Sequence, residues 1–185
     1  MRKKIYTMVL LLSSIVAAAQ TRNLSAEIFG ASQLAGISYD ARFNGNSGFG
    51  YRAGLGYGLG INSLIFSGEQ IIQGVTIPLE VNYLIGKKRS HLELGAGLSN
   101  GLYRVHNKTS AFTATGQDGI IYEVSANDNI NYTWGYFFFG NIGYRFQPEE
   151  GLSFRIGISP SFSFNTKHAI QKNWLIPYVG LGWAF

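Results

Sequence analysis

From Trp174 to Phe185 every second residue is bulky and apolar: Leu175, Pro177, Val179, Leu181, Trp183 and Phe185. Between them Tyr178, Gly180, Gly182 and Ala184 are small or polar-tipped. A period of two is a strand period, and it puts all the bulk on one face of a sheet. The same alternation returns along most of the chain, and no long helical period interrupts it. The chain therefore reads as all-β, and what remains is which solvent the bulky face meets.

Seven further strands are expected before the last one, over residues 23–31, 35–43, 49–58, 73–86, 91–103, 134–146 and 152–164. The cleanest is the run from Leu152, where Leu152, Phe154, Ile156, Ile158, Phe162 and Phe164 alternate with Ser153, Arg155, Gly157, Ser159, Ser161 and Ser163. Short turns are expected at Asn44-Gly45-Asn46-Ser47-Gly48, at Lys87-Lys88-Arg89-Ser90 and at Pro148-Glu149-Glu150-Gly151, all rich in turn formers. Longer connections are expected near Ile61–Gln70, from Arg104 to Thr133, and over Asn165–Asn173. Within the longest, Ile120–Val124 is apolar and β-prone, and it is expected to pair with continuations of the flanking strands. Pro78, Pro160 and Pro177 fall inside strands, where each deletes a ladder donor and predicts a bulge or a lost hydrogen bond.

Charged residues make up 14% of the chain, against about 25% in ordinary soluble domains. A soluble sandwich or lipocalin-like barrel would carry Lys and Glu on its outer face, but here the second face is mostly Gly and Ser. The N-terminus reads as a secretory signal peptide: Arg2, Lys3 and Lys4, an apolar run from Met8, then Ala17-Ala18-Ala19. The expected organisation is a cleaved signal peptide, 1–19, followed by one barrel domain, 20–185. Loss of the three basic residues lowers the net charge from +5 to +2, so the basic balance does not argue for nucleic acid. Cysteine is absent, which excludes thiol catalysis and Cys-ligated metals. Apolar composition without helical spans leaves the closed barrel as the membrane option, because lipid cannot satisfy an open sheet edge. The expected fold is an all-β, membrane-spanning, antiparallel up-and-down β-barrel of about eight strands. Aromatics at the ends of the apolar face form two expected girdles. Phe43, Phe49, Tyr83, Tyr144, Phe146, Trp183 and Phe185 make the lower one, and Trp134, Tyr136, Phe162 and Phe164 the upper.

The inward face sorts into two levels. Its charges, Glu27, Asp40, Arg42, Arg52, Glu80, Glu93, Arg145 and Arg155, lie near the lower strand ends and sum to zero. Buried charges must pair, so a salt-bridge plug is expected. The turn at 44–48 places Asp40 opposite Arg52, which predicts their pairing. Arg145 and Arg155 are expected on neighbouring strands, sharing Glu27, Glu80 or Glu93. Higher up, Tyr103, Phe137, Phe139, Trp174, Ile176 and Tyr178 face glycines, either as a candidate apolar pocket or as large-against-small filling. Gly54–Gly60 alternates glycine but lacks the helix of a phosphate loop. His91, His106 and His168 show no metal spacing. A lipid-modifying hydrolase using His106 or His168 with Ser99, Ser110 and Glu123 has no fixing motif.

The stretches NGNSG, GKKRS and PEEG, with the closing WLIPYVGLGWAF, resemble the small bacterial outer-membrane β-barrel proteins of the OmpA, OmpX and OmpW type, porin-like in architecture. The resemblance implies location in the outer membrane of a Gram-negative bacterium with both termini periplasmic. It also implies contact with outer-membrane lipids and with the assembly machinery, for which Phe185, Trp183 and Leu181 would be the signal. The expected function is non-catalytic, with no cofactor and no nucleic acid: a structural or surface-interaction role with Arg104–Thr133 as the contact loop and a plugged lumen. The alternative is a narrow channel or carrier for a small apolar ligand.

Overall fold

The computed structural model describes residues 21–64, 68–109, 111–115, 121–162 and 174–185. The expected signal peptide, Phe164, Ser110 and His168 lie outside them, as does the side chain of Trp174. The elements are β1 (Thr21–Phe29), β2 (Ala35–Asn44), β3 (Ser47–Leu64), β4 (Gly68–Lys87), β5 (Ser90–Thr109), β6 (Phe112–Thr115), β7 (Ile121–Val124), β8 (Asn127–Phe146), β9 (Gly151–Phe162) and β10 (Trp174–Ala184). Eight of them close an antiparallel barrel in the order β1-β10-β9-β8-β5-β4-β3-β2, and β6 and β7 form a separate hairpin. The ring is sealed at its lower end, where Arg22 and Phe185 exchange backbone hydrogen bonds of 3.0 and 2.9 Å.

The bulky face of every strand points outward. Leu24, Ile37, Leu55, Val81, Leu92, Ile142, Leu152, Leu175 and Leu181 are all exposed, which in water would be a large liability and in lipid is the stable arrangement. Girdle rings touch one another: Phe49 of β3 meets Tyr83 of β4 edge-on at 4.7 Å, and along β8 Trp134 lies 5.3 Å from Tyr136. On β8 the step from Tyr144 up to Trp134, at about 3.3 Å per residue and a tilt of about 40°, covers roughly 25 Å, the height of an apolar membrane band.

Three expectations about connections are corrected. Residues 61–64 and 68–70 are strand, not loop: Ile61 pairs with Ile71 and Leu64 with Gly68, continuing the β3–β4 ladder. The flanks of Arg104–Thr133 are likewise strand, with β5 and β8 paired in register out to Thr109 and Asn127. Ile121–Val124 pairs not with those extensions but with Phe112–Thr115 as its own hairpin. The extensions stand above the apolar band, where water accepts either face. The alternation that marks a membrane strand is therefore lost there while the backbone ladder persists.

The prolines cost pairings without shifting register. The β3–β4 ladder skips the residues opposite Pro78, and the β8–β9 ladder skips those opposite Pro160, with the register unchanged on both sides. Each ring lies against a gap left by glycine, Pro78 near Gly54 on the inward face and Pro160 near Gly140 on the outward face. Pro177 falls just beyond the last β1–β10 pair, Phe29 with Tyr178, where β1 asks for no donor.

Candidate functional site

The lower lumen holds every inward charge named from the sequence, each no more than 5% exposed. They form one alternating chain. Arg42 grips Asp40 at 2.8 Å, and Asp40 is met from across the lumen by Arg145 at 2.9 Å. Arg145 reaches Glu93 at 3.2 Å, and Glu93 also takes Arg155 at 3.2 Å. Arg155 continues to Glu27 at 2.6 Å, Glu27 to Arg52 at 3.2 Å, and Arg52 ends on Glu80. No acid is left without an arginine. This alternation lets so many charges leave water, since a buried ion is tolerated when its partner and further hydrogen bonds are in place.

Arg145 and Arg155 are register partners on β8 and β9 and share Glu93. Asp40 and Arg52 are also register partners, but they do not pair as the turn suggested. Asp40 is saturated by Arg42, on its own strand and face, and by Arg145 from the opposite wall. Arg52 instead turns to Glu27 and Glu80. In a narrow barrel, long arginines cross the lumen, so backbone register does not decide the partner.

Neutral members of the site were not singled out from sequence. Asn82, buried between the strands, donates to Asp40 at 3.0 Å and accepts from Arg42. Asn141 donates to Glu80 at 2.9 Å. Below and beside them, Ser153 donates to Asn23 at 2.8 Å and Ser25 bonds Ser38 at 2.9 Å. The available signal was the period: each of these residues falls on the inward phase of its strand.

Above the charges the lumen is filled by rings over glycines. Phe139 lies over Gly97, and Tyr103 lies over Gly58 and Gly101. Phe137 and Phe139 are 6.3 Å apart and pack with Ala31. Tyr103, Phe137, Phe139 and Tyr178 are at most 1% exposed, so these side chains form packing rather than an open cup. Ile176 is half-buried. Tyr178, grouped with the aromatic layer from sequence, belongs to the charge layer: the Arg155 guanidinium stacks on its ring at 4.4 Å, a cation–π contact.

The Ala31 in that cluster comes from an unanticipated feature. The link between β1 and β2 turns into the lumen as a single 3-10 turn, Gly30–Ser32, whose residues are all buried. Gly30 lies against Tyr178, Ser32 against Gly36 and Gly56, and the Ser99 hydroxyl donates to the Ala31 carbonyl at 3.1 Å. A side chain at Gly36 or Gly56 would occupy the space of Ser32, so the glycine alternation on β3 serves as a seat. Phe29 and Gln33 flank the turn at φ 63° and 66°, conformations that cost a non-glycine residue of order 1–3 kcal/mol each. The burial of Gly30–Ser32 must hold them there. Its sequence signature is three small residues between outward Phe29 and Leu34.

Of the hydrolase candidates, Ser99 and His106 are not brought together. Ser99 is buried in the lumen, whereas His106 stands on the outer extension, paired with Asp128 at 2.6 Å. His91 is buried at the lower end, away from His106.

Taken together, the outward apolar band, the two aromatic belts and the polar, filled interior define a membrane-spanning barrel. Its fold is that of the small eight-stranded outer-membrane β-barrels. Among solved structures, the N-terminal β-barrel domain of Pseudomonas aeruginosa OprF superposes with a TM-score of 0.54 at 12% identity, over 90% of this chain and 98% of that one. Ail, the attachment invasion locus protein of Yersinia pestis, aligns with a TM-score of 0.43 at 12% identity, over 89% and 94%. No family model and no curated protein matches the sequence.

Proposed function

We propose that this chain is a non-catalytic barrel of a Gram-negative outer membrane, with both termini periplasmic, a lumen closed by its own side chains, and its functional surface on the outer side. The observation that carries this reading is the sheet that β3, β4, β5 and β8 raise beyond Trp134. Nothing in barrel closure requires it: β1 and β2 are joined by the Gly30–Ser32 turn near the upper belt, while these four continue. Along β8 above the belt, Ile130 and Tyr132 lie exposed. A sheet that rises beyond the belt and carries exposed apolar side chains suits docking of a surface partner. The β6–β7 hairpin stands beside that sheet in sequence and belongs to the same region.

The alternating ion chain and the buried Gly30–Ser32 turn support a plug rather than a conduit. Each charge already has its partner, and the aromatic layer is sealed above them. Outer-membrane lipids meet the apolar band, and the assembly machinery is the expected partner of the Leu181, Trp183 and Phe185 face. The test replaces residues 108–129 by a short Gly/Ser linker. The variant should still insert and run at a different apparent mass unheated than boiled, while cells displaying it lose adhesion and bilayers holding it show no new conductance. If the shortened chain fails to fold, the region is structural and the assignment is wrong.

A further inference from the structure

At the turn end of the barrel, the connections enclose a groove of about 890 Å³ that the lumen and the outer sheet do not use. One wall carries Lys87, Lys88 and Arg89, the other Glu149 and Glu150, and Asn46 lies with them. The turns that form it are tied together. The Asn46 side-chain amide donates to the carbonyls of Lys88, at 3.4 Å, and of Gln147. The Gln147 N–H donates to the carbonyl of Arg89 at 2.8 Å. Three hairpin turns, β2–β3, β4–β5 and β8–β9, thus form one rim.

Among the described residues, none of the five charged side chains makes an ion pair or a hydrogen bond. Opposite charges on mobile turns would collapse onto each other; here the tied rim holds the walls apart. We propose that this groove binds a short peptide carrying free ammonium and carboxylate groups close together, the mixed-charge chemistry of cell-wall cross-linking peptides. The carboxylate would lie along Lys87–Arg89 and the ammonium against Glu149 and Glu150. A purely anionic polymer is repelled by the two glutamates, and a polycation by the three bases. The inference rests on the proposed orientation, which turns this end toward the periplasm.

The experiment uses the purified barrel in detergent, isolated cell-wall sacculi, and a soluble tetrapeptide with a free diamino acid as competitor. The barrel should sediment with the sacculi and be released by the tetrapeptide. Lys87→Ser/Lys88→Ser/Arg89→Ser and Glu149→Gln/Glu150→Gln should each weaken binding about tenfold, the scale of a few exposed ion pairs. Asn46→Ala, which unties the rim and leaves the charges, should weaken it as well. Thermal unfolding should be unchanged in the charge variants, since all five residues are exposed. Absence of sedimentation, or binding indifferent to both charge sets, overturns the proposal. So does loss in the basic variant with a gain in the glutamine variant, which identifies an anionic polymer. Because the assay uses purified protein, such a failure leaves the orientation standing. Protease accessibility of the turns in intact cells tests that separately.

Discussion

The alternating ion chain makes a quantitative prediction at Arg52. This residue joins Glu27 and Glu80, but the two acids depend on it unequally. Glu27 keeps Arg155 at 2.6 Å when Arg52 is removed. Glu80 keeps only the Asn141 amide at 2.9 Å. Arg52→Met therefore strands one carboxylate that is 4% exposed, and stranding a buried charge costs about 3–5 kcal/mol. Adding Glu80→Leu removes the stranded charge and restores packing, so the double variant should recover most of that loss. The coupling between Arg52 and Glu80 should be on the order of 2–3 kcal/mol. Asp40 faces Arg52 across the β2–β3 ladder but is held by Arg42 and Arg145, so its cycle with Arg52 should be additive within about 0.5 kcal/mol. Urea unfolding of the refolded barrel in detergent, read by the heat-dependent gel shift, measures all the variants. Additive losses for Arg52 and Glu80, or a larger coupling to Asp40, would refute the chain as described.

Three other perturbations probe different parts. Gly56→Val places a side chain where Ser32 and Thr76 already meet; it should cost about 1–3 kcal/mol as an overpacked site and raise single-channel conductance by displacing Gly30–Ser32. Deleting Phe185 removes the backbone pair with Arg22 and should reduce assembled barrel, measured as the unheated gel form, more than any deletion in the outer sheet. Asp128→Asn breaks an exposed pair with His106 and should change unfolding by less than about 1 kcal/mol; a larger loss would mean that the outer sheet is stapled at that point.

Much of this architecture is legible in the chain itself. The period of two, the apolar phase of Leu152–Phe164 and of Leu175–Phe185, and the scarcity of charge dictate strands with one face in lipid, because a strand's side chains must alternate and lipid rewards only one phase. The inward charges follow from the same phase, and their zero sum from the cost of burying an unpaired ion. What alternation cannot express is anything outside the bilayer or across the lumen. Above the apolar band both faces are wet, so Ile61–Gln70 and the flanks of Arg104–Thr133 read as loops although residues 61–64, 68–70 and those flanks continue the ladder. Across the lumen, Arg52 finds Glu27 and Glu80 rather than the facing Asp40, since closure brings distant strands within an arginine's reach. Closure likewise draws Gly30–Ser32 inward, because only in the ring do Gly36 and Gly56 leave room for Ser32.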